Sequence, residues 1–116
     1  MARYVLKFGG TSVSDVPQIK NIAKKIKLIA DQGNELIVVV SAMAGRTNDL
    51  ISMVSEVSQY PDPSEYDVIV SSGEQVTAGL LALSLNKLGL VARSWMGWQI
   101  PIFTDGVHSF SRINEI

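Results

Sequence analysis

The chain has no cysteine and a single histidine, His108, among its 116 residues. The first absence excludes disulfide stapling, thiolate nucleophiles and cysteine metal sites, and the second excludes a metal site built from several histidines. Charge of either sign is not in excess. Ten Lys and Arg against eleven Asp and Glu give a net charge of −1, which argues against nucleic acid or an anionic membrane as partner. No continuous apolar run approaches the roughly 20 residues of a membrane span, and no basic-then-apolar leader opens the chain, so it reads as soluble and cytoplasmic. The Gly-x-x-x-x-Gly-Lys-Ser/Thr phosphate loop is missing too. Any chemistry must use oxygen ligands, lysine or backbone amides.

What is present is enough for one modest domain, 47% hydrophobic. Residues 3–8 read as a strand. The stretch "TSVSDVPQIKNIAKKIKLIADQG" sets Val16, Ile19, Ile22, Ala23, Ile26, Ile29 and Ala30 three and four apart, with Lys20, Lys24 and Lys27 on another face. That is an amphipathic helix, with Ser14 as N-cap, Pro17 in its first turn and Gly33 closing it. "LIVVV" at 36–40 is a β-branched run of the kind found in a strand covered on both faces. A second helix begins near Thr47 and ends before "YPDPSE"; "YDVIV" at 66–70 reads as the next strand, "EQVTAGLLALSLNK" at 74–87 as a helix, and "LVARSW" at 90–95 as a fourth strand. The order βαβαβαβ predicts an α/β fold with a largely parallel sheet and crossover helices on its faces. Residues 97–116 are less autonomous, and "SRINEI" has the look of a starting helix. The apolar end at Ile116 suggests the front portion of something longer.

The first three strand ends carry "KFGGTS", "SAMAGRTNDL" and "SSGEQVT", all glycine-containing, hydroxyl-rich turns leading into helices. Glycine lets the backbone approach a ligand, and free N–H groups at a helix start favour phosphate or carboxylate. Three such turns at the carboxyl edge of one sheet predict an anion site. Lys7, one residue before the strand end, supplies counter-charge to phosphates held over Gly9 and Gly10, or else is a lysine snorkelling from a strand. Ser41 ends the second strand. Thr47 is read either as the cap of the second helix or as a hydroxyl for the polar end of a small substrate. Glu74 either closes a capping box with Ser71 or receives a substrate ammonium. His108 reads as a surface or packing residue and Trp95 and Trp98 as packing residues, with lining a pocket as the alternative for Trp95.

The blocks "YVLKFGGTSV", "LIVVVSAMAGRTNDL", "VIVSSGEQVTAGLLALSL" and "SWMGWQIPIFTDGVHSFSRI" closely resemble successive segments of the aspartate kinase family, in the amino-acid kinase superfamily, from about residue 3 to residue 116. Ser111 stands before Arg112 where that family commonly has alanine. The resemblance implies the amino-acid kinase (carbamate kinase-like) fold, a three-layer sandwich, here incomplete. Residues 1–116 would be the N-terminal portion of the catalytic domain, with the nucleotide-binding portion and regulatory ACT domains absent. It implies ATP-dependent phosphorylation of the side-chain carboxylate of L-aspartate to 4-phospho-L-aspartate, the step toward lysine, threonine and methionine. Mg²⁺ would be held mainly by the nucleotide phosphates and not by residues of this chain. By the same resemblance Lys7 contacts the transferred phosphate, Gly9 and Gly10 donate backbone hydrogen bonds beside it, and Ser41, Thr47 and Glu74 line the aspartate site. The full-length enzyme would be a cytoplasmic homo-oligomer, and these residues alone would be inactive. Another carboxylate acceptor, or a non-catalytic amino-acid-binding module, is the alternative.

Overall fold

Strand β1 (Arg3–Phe8) and strand β2 (Glu35–Val40) lie side by side and parallel in the computed structural model, which describes residues 1–116. Their register runs from Arg3 beside Glu35 to Phe8 beside Val40. Parallel pairing demands a crossover, and helix α1 (Val16–Ala30) provides it. Ile19, Ile22, Ala23 and Ile26 form its buried stripe, and each buried isoleucine contributes about 1.5–3 kcal/mol of apolar burial. Asp15, not Ser14, is its N-cap, accepting from the Gln18 N–H at 2.9 Å. At the far end Asn34 ties helix to sheet. Its Nδ2 donates to the Ile29 carbonyl at 2.9 Å and its Oδ1 accepts from the Ala2 N–H at 3.2 Å.

Strand alternation decides which side chains enter the core. Leu6, Phe8, Leu36, Val38 and Val40 pack on the cluster of Val13, the α1 stripe, Leu81 and Leu85. The opposite sheet face carries Val5, Lys7, Ile37 and Val39, all exposed. The α/β class with a parallel sheet and flanking helices therefore stands, but the sheet at this site has two strands, not the expected four.

The difference lies in helix α3, which runs unbroken from Pro63 to Lys87 and absorbs the expected strand at 66–70. Two local features start it early. Asp62 caps it, accepting from Ser64 and Glu65 N–H groups at 2.8 and 3.3 Å, and Pro63 has the φ a first helical residue needs. Beyond them, Tyr66 and Val70 are half-buried in line with buried Gly73, Thr77, Leu81 and Leu85. One helical stripe thus extends through the β-branched run. By length and composition α3 is apolar enough to cross a membrane; here it lies against α1 and against helix α2 (Arg46–Val57), whose Leu50 and Val54 are buried.

The expected fourth strand is also absent as a sheet member. Residues 90–96 belong to no helix or strand, and Leu90 and Ala92 pack on the core. The Ala92 N–H is taken by Asn86 Oδ1 at 2.8 Å instead of by a ladder. Residues 97–116 form a short 3₁₀ turn (Gly97–Gln99) and an antiparallel hairpin of β3 (Phe103–Thr104) with β4 (Ile113–Glu115), so "SRINEI" is strand and not helix.

Candidate functional site

The carboxyl ends of β1 and β2 bring Lys7 beside Val39 and Phe8 beside Val40, and the chain turns from both at the same edge. After β1, a turn is closed by the Ser12 N–H donating to the Gly9 carbonyl at 3.0 Å. After β2, Met43 accepts from the Arg46 N–H at 3.0 Å, and Gly45, at φ +77°, takes the N-cap position of α2. The left-handed φ explains the glycine there. Thr47 is consequently not the cap. It sits half-buried in the first turn of α2, and no side chain caps that helix.

These turns are in close contact. A Cβ on Gly10 would lie 3.2 Å from the Ala42 carbonyl oxygen, so the backbone of the first turn abuts that of the second. A Cβ on Gly73 would lie 3.0 Å from the Ala42 Cβ and 3.4 Å from the Arg46 Cγ. Ala42 is therefore a shared contact of Gly10 and Gly73. Gly9, Ser41 and Glu74 are the chain neighbours of these three contacting residues, and Thr47 is one residue beyond Arg46. The third expected turn is replaced by the flank of α3.

That replacement removes the capping-box reading of Glu74. Ser71 lies inside α3, where its Oγ donates to the Val68 carbonyl at 3.3 Å. Glu74 is exposed, with no hydrogen bond or ion pair holding its carboxylate, and Lys7 is likewise exposed and unpaired. Ser41 is half-buried. An exposed ammonium at a strand end, two glycine backbones and an exposed carboxylate on α3 are groups of the kind that bind a solute carrying both charge signs. The two main apolar grooves, one between α1 and α3 and one between α2 and the start of α3, include none of these residues. No group of three His, Cys, Asp or Glu side chains is placed to hold a metal ion.

Residues 2–114 match the amino acid kinase family. The chain belongs to the amino acid kinase family. Its whole length aligns at 50% identity with the aspartate kinase Ask_LysC of Stutzerimonas stutzeri (strain A1501), covering 28% of that protein. It aligns at 52% identity with an aspartate kinase of Pseudomonas fluorescens (strain SBW25), covering 29%. The crystal structure of aspartate kinase from Synechocystis superposes on 72% of this chain and 14% of its own, with a TM-score of 0.71 and 44% identity. This amino acid kinase chain thus spans less than a third of the length of the curated relatives it matches.

Within the family fold, three residues that matter for placement escaped the sequence reading. Ala42 and Gly73 are the contact itself. Small residues at the end of a strand and midway along an apolar helix were the available signal, legible once both are known to face each other. The third is Asp67, which binds the C-terminal hairpin. Trp95 and Trp98 prove exposed, not packed, and the Arg93 guanidinium stacks 4.4 Å from the centre of the Trp95 ring.

Proposed function

We propose that residues 1–116 form the N-terminal portion of the catalytic domain of an aspartate kinase, carrying the amino-acid site and one wall of the phosphate site. The parent reaction moves the γ-phosphoryl group of ATP to the side-chain carboxylate of L-aspartate, releasing ADP and 4-phospho-L-aspartate, the entry to lysine, threonine and methionine. A carboxylate oxygen forms the new bond to phosphorus as the bond from phosphorus to the bridging oxygen of ADP breaks. That nucleophile is ionised at neutral pH, its reference pKa being near 3.9, so no general base is required. The lone histidine need take no part.

Lys7 neutralises charge that shifts between oxygens during transfer, while Gly9 and Gly10 offer backbone donors with no side chain in the way. Ser41 and Thr47 hydrogen-bond the amino acid, and Glu74 pairs with its α-ammonium. Catalysis then rests on alignment more than on proton transfer. Mg²⁺ supplies further charge neutralisation on the nucleotide phosphates, and this chain's residues need not ligate it. The nucleotide-binding portion and regulatory domains belong to sequence outside these residues, the whole enzyme is a cytoplasmic homo-oligomer, and the 116-residue chain alone turns over negligibly.

The single observation supporting this reading is the convergence of Gly10 and Gly73 on Ala42, next in sequence to Gly9, Glu74 and Ser41. The test is NMR titration of the chain with L-aspartate and, separately, N-acetyl-L-aspartate, which lacks the ammonium. L-Aspartate should shift amides at 9–12, 41–47 and 73–74. Glu74→Gln should weaken binding about 10- to 100-fold, the equivalent of a charge-assisted hydrogen bond. Equal binding of the acetylated analogue, or an unaffected Glu74→Gln, would overturn the reading.

A further inference from the structure

Every polar contact between residues 100–116 and the rest of the chain ends on one side chain, Asp67 of α3. One carboxylate oxygen accepts from the Ser109 backbone N–H at 2.9 Å and meets His108 Nδ1 at 3.1 Å; the other accepts from Ser109 Oγ at 2.8 Å. A carboxylate only accepts, so Nδ1 carries the hydrogen. The residue so held is unusual. Ser109, at φ +66°, is the only non-glycine with positive φ in the structure, a conformation a serine keeps only where its surroundings fix it. The hairpin itself buries no side chain. It has no apolar anchor to hold it in the absence of Asp67.

We propose that Asp67 is a positioning residue that latches the C-terminal hairpin to α3, with the strength of the latch graded by the charge on His108. Two titrations act on it in opposite directions. The Ser109 hydroxyl and N–H, with His108, hold the Asp67 carboxyl below the usual carboxylate range. A lowered folded value means the contribution is complete above the ordinary carboxylate pKa and is lost as pH falls through the lowered one. An imidazole gains its second proton between about pH 5 and 8, and the imidazolium adds charge attraction to the Nδ1–H bond. The charged groups facing His108 are Asp67 of α3 and Asp62, the cap before it, with Asp105 on the hairpin; Asp105 accepts from the Val107 N–H at 3.1 Å, next to His108. The latch is tightest in mildly acidic solution and loosens on either side.

Amide hydrogen exchange on the full 116-residue chain tests this. Protection factors are followed at Ser109 and Asp105, with α3 amides 76–85 as internal reference. In the parent chain, protection at Ser109 should rise from pH 3 to about pH 5 and fall again toward pH 8. Asp67→Ala should lower it at least tenfold at both amides while the α3 reference stays within twofold. His108→Gln keeps the Ser109 bonds and should flatten the fall above pH 5 without abolishing protection. If Asp67→Ala perturbs the whole fold, Ser109→Ala, which removes one bond and leaves the helix untouched, should still lower protection severalfold. Unchanged Ser109 exchange in Asp67→Ala or in Ser109→Ala, or a parent pH profile matching that of His108→Gln, would overturn the proposal. None of these readouts depends on aspartate binding, so the latch and the functional reading fail separately.

Discussion

Gly73 and Gly79 sit in the same helix under opposite constraints. A Cβ at Gly79 meets nothing within 4 Å, whereas one at Gly73 would be 3.0 Å from the Ala42 Cβ. Gly79→Ala should therefore gain the helix-propensity difference, raising stability by about 0.5–1 kcal/mol. Gly73→Ala gains the same propensity but pushes α3 off the loop after β2, and overpacking of about 1–3 kcal/mol outweighs it. Urea midpoints of the two variants should move in opposite directions; movement in the same direction would mean that the Gly73 contact yields without cost. Because Ala42 also touches Gly10, Gly73→Ala should further weaken L-aspartate binding, whereas Gly79→Ala should not. At this scale the sequence was informative about charge and hydroxyls. Lys7, Ser41, Thr47 and Glu74 stand out as residues that a buried strand or helix does not need. Nothing in one chain read linearly reveals that Ala42 is the residue Gly10 and Gly73 share.

At the scale of elements, the Asp62 cap explains why α3 begins where it does. The Ser64 hydroxyl and N–H, then the Glu65 N–H, keep the Asp62 carboxyl below its ordinary value. Its contribution is accordingly full above about pH 4 and is lost as pH falls through the lowered folded value. Exchange protection over the first turns of α3 should drop in that acid window, and Asp62→Ala should remove both the protection and its pH dependence. Carbon chemical shifts of residues 66–70 should be helical throughout; strand values there would contradict the continuous α3. The elements β1, α1, β2 and α2 are legible because α1 shows the helical period, β1 and β2 are short apolar runs, and each element is bounded by its own turn chemistry. "YDVIV" reads as a strand because its four β-branched and aromatic residues satisfy both periods. The stripe from Tyr66 to Leu85, and the cap and proline before it, decide for helix only when the whole 25 residues are weighed together. The C-terminal hairpin was illegible for another reason. What holds it is a side chain far away in sequence.

The whole molecule has one sheet face against helices and one in solvent, where Val5, Ile37 and Val39 are 67%, 54% and 44% exposed. Both strands of a two-stranded sheet are also edges, and an apolar face with open edges promotes association. Sedimentation should show mass rising with concentration for the parent chain and much less for Ile37→Lys, whose side chain already points outward; identical behaviour would place the association elsewhere. The parallel sheet and its crossover were readable from the order of periodic segments, while its width was not, since width is set by which later segments find a hydrogen-bonding neighbour. The pinch between Gly73 and Ala42 has a mechanical meaning for this arrangement. A 25-residue helix is a stiff rod, and the pinch is its fulcrum, with Leu81 and Leu85 buried on one arm and Asp67 carrying the hairpin on the other. At 1.5 Å per residue, a swing of about 10° displaces Asp67 by roughly 1.5 Å and Glu74, one residue from the fulcrum, by only about 0.3 Å. Motion of the tail is thereby geared down where the amino acid would bind, so the carboxylate stays still while the far end of its own rod moves.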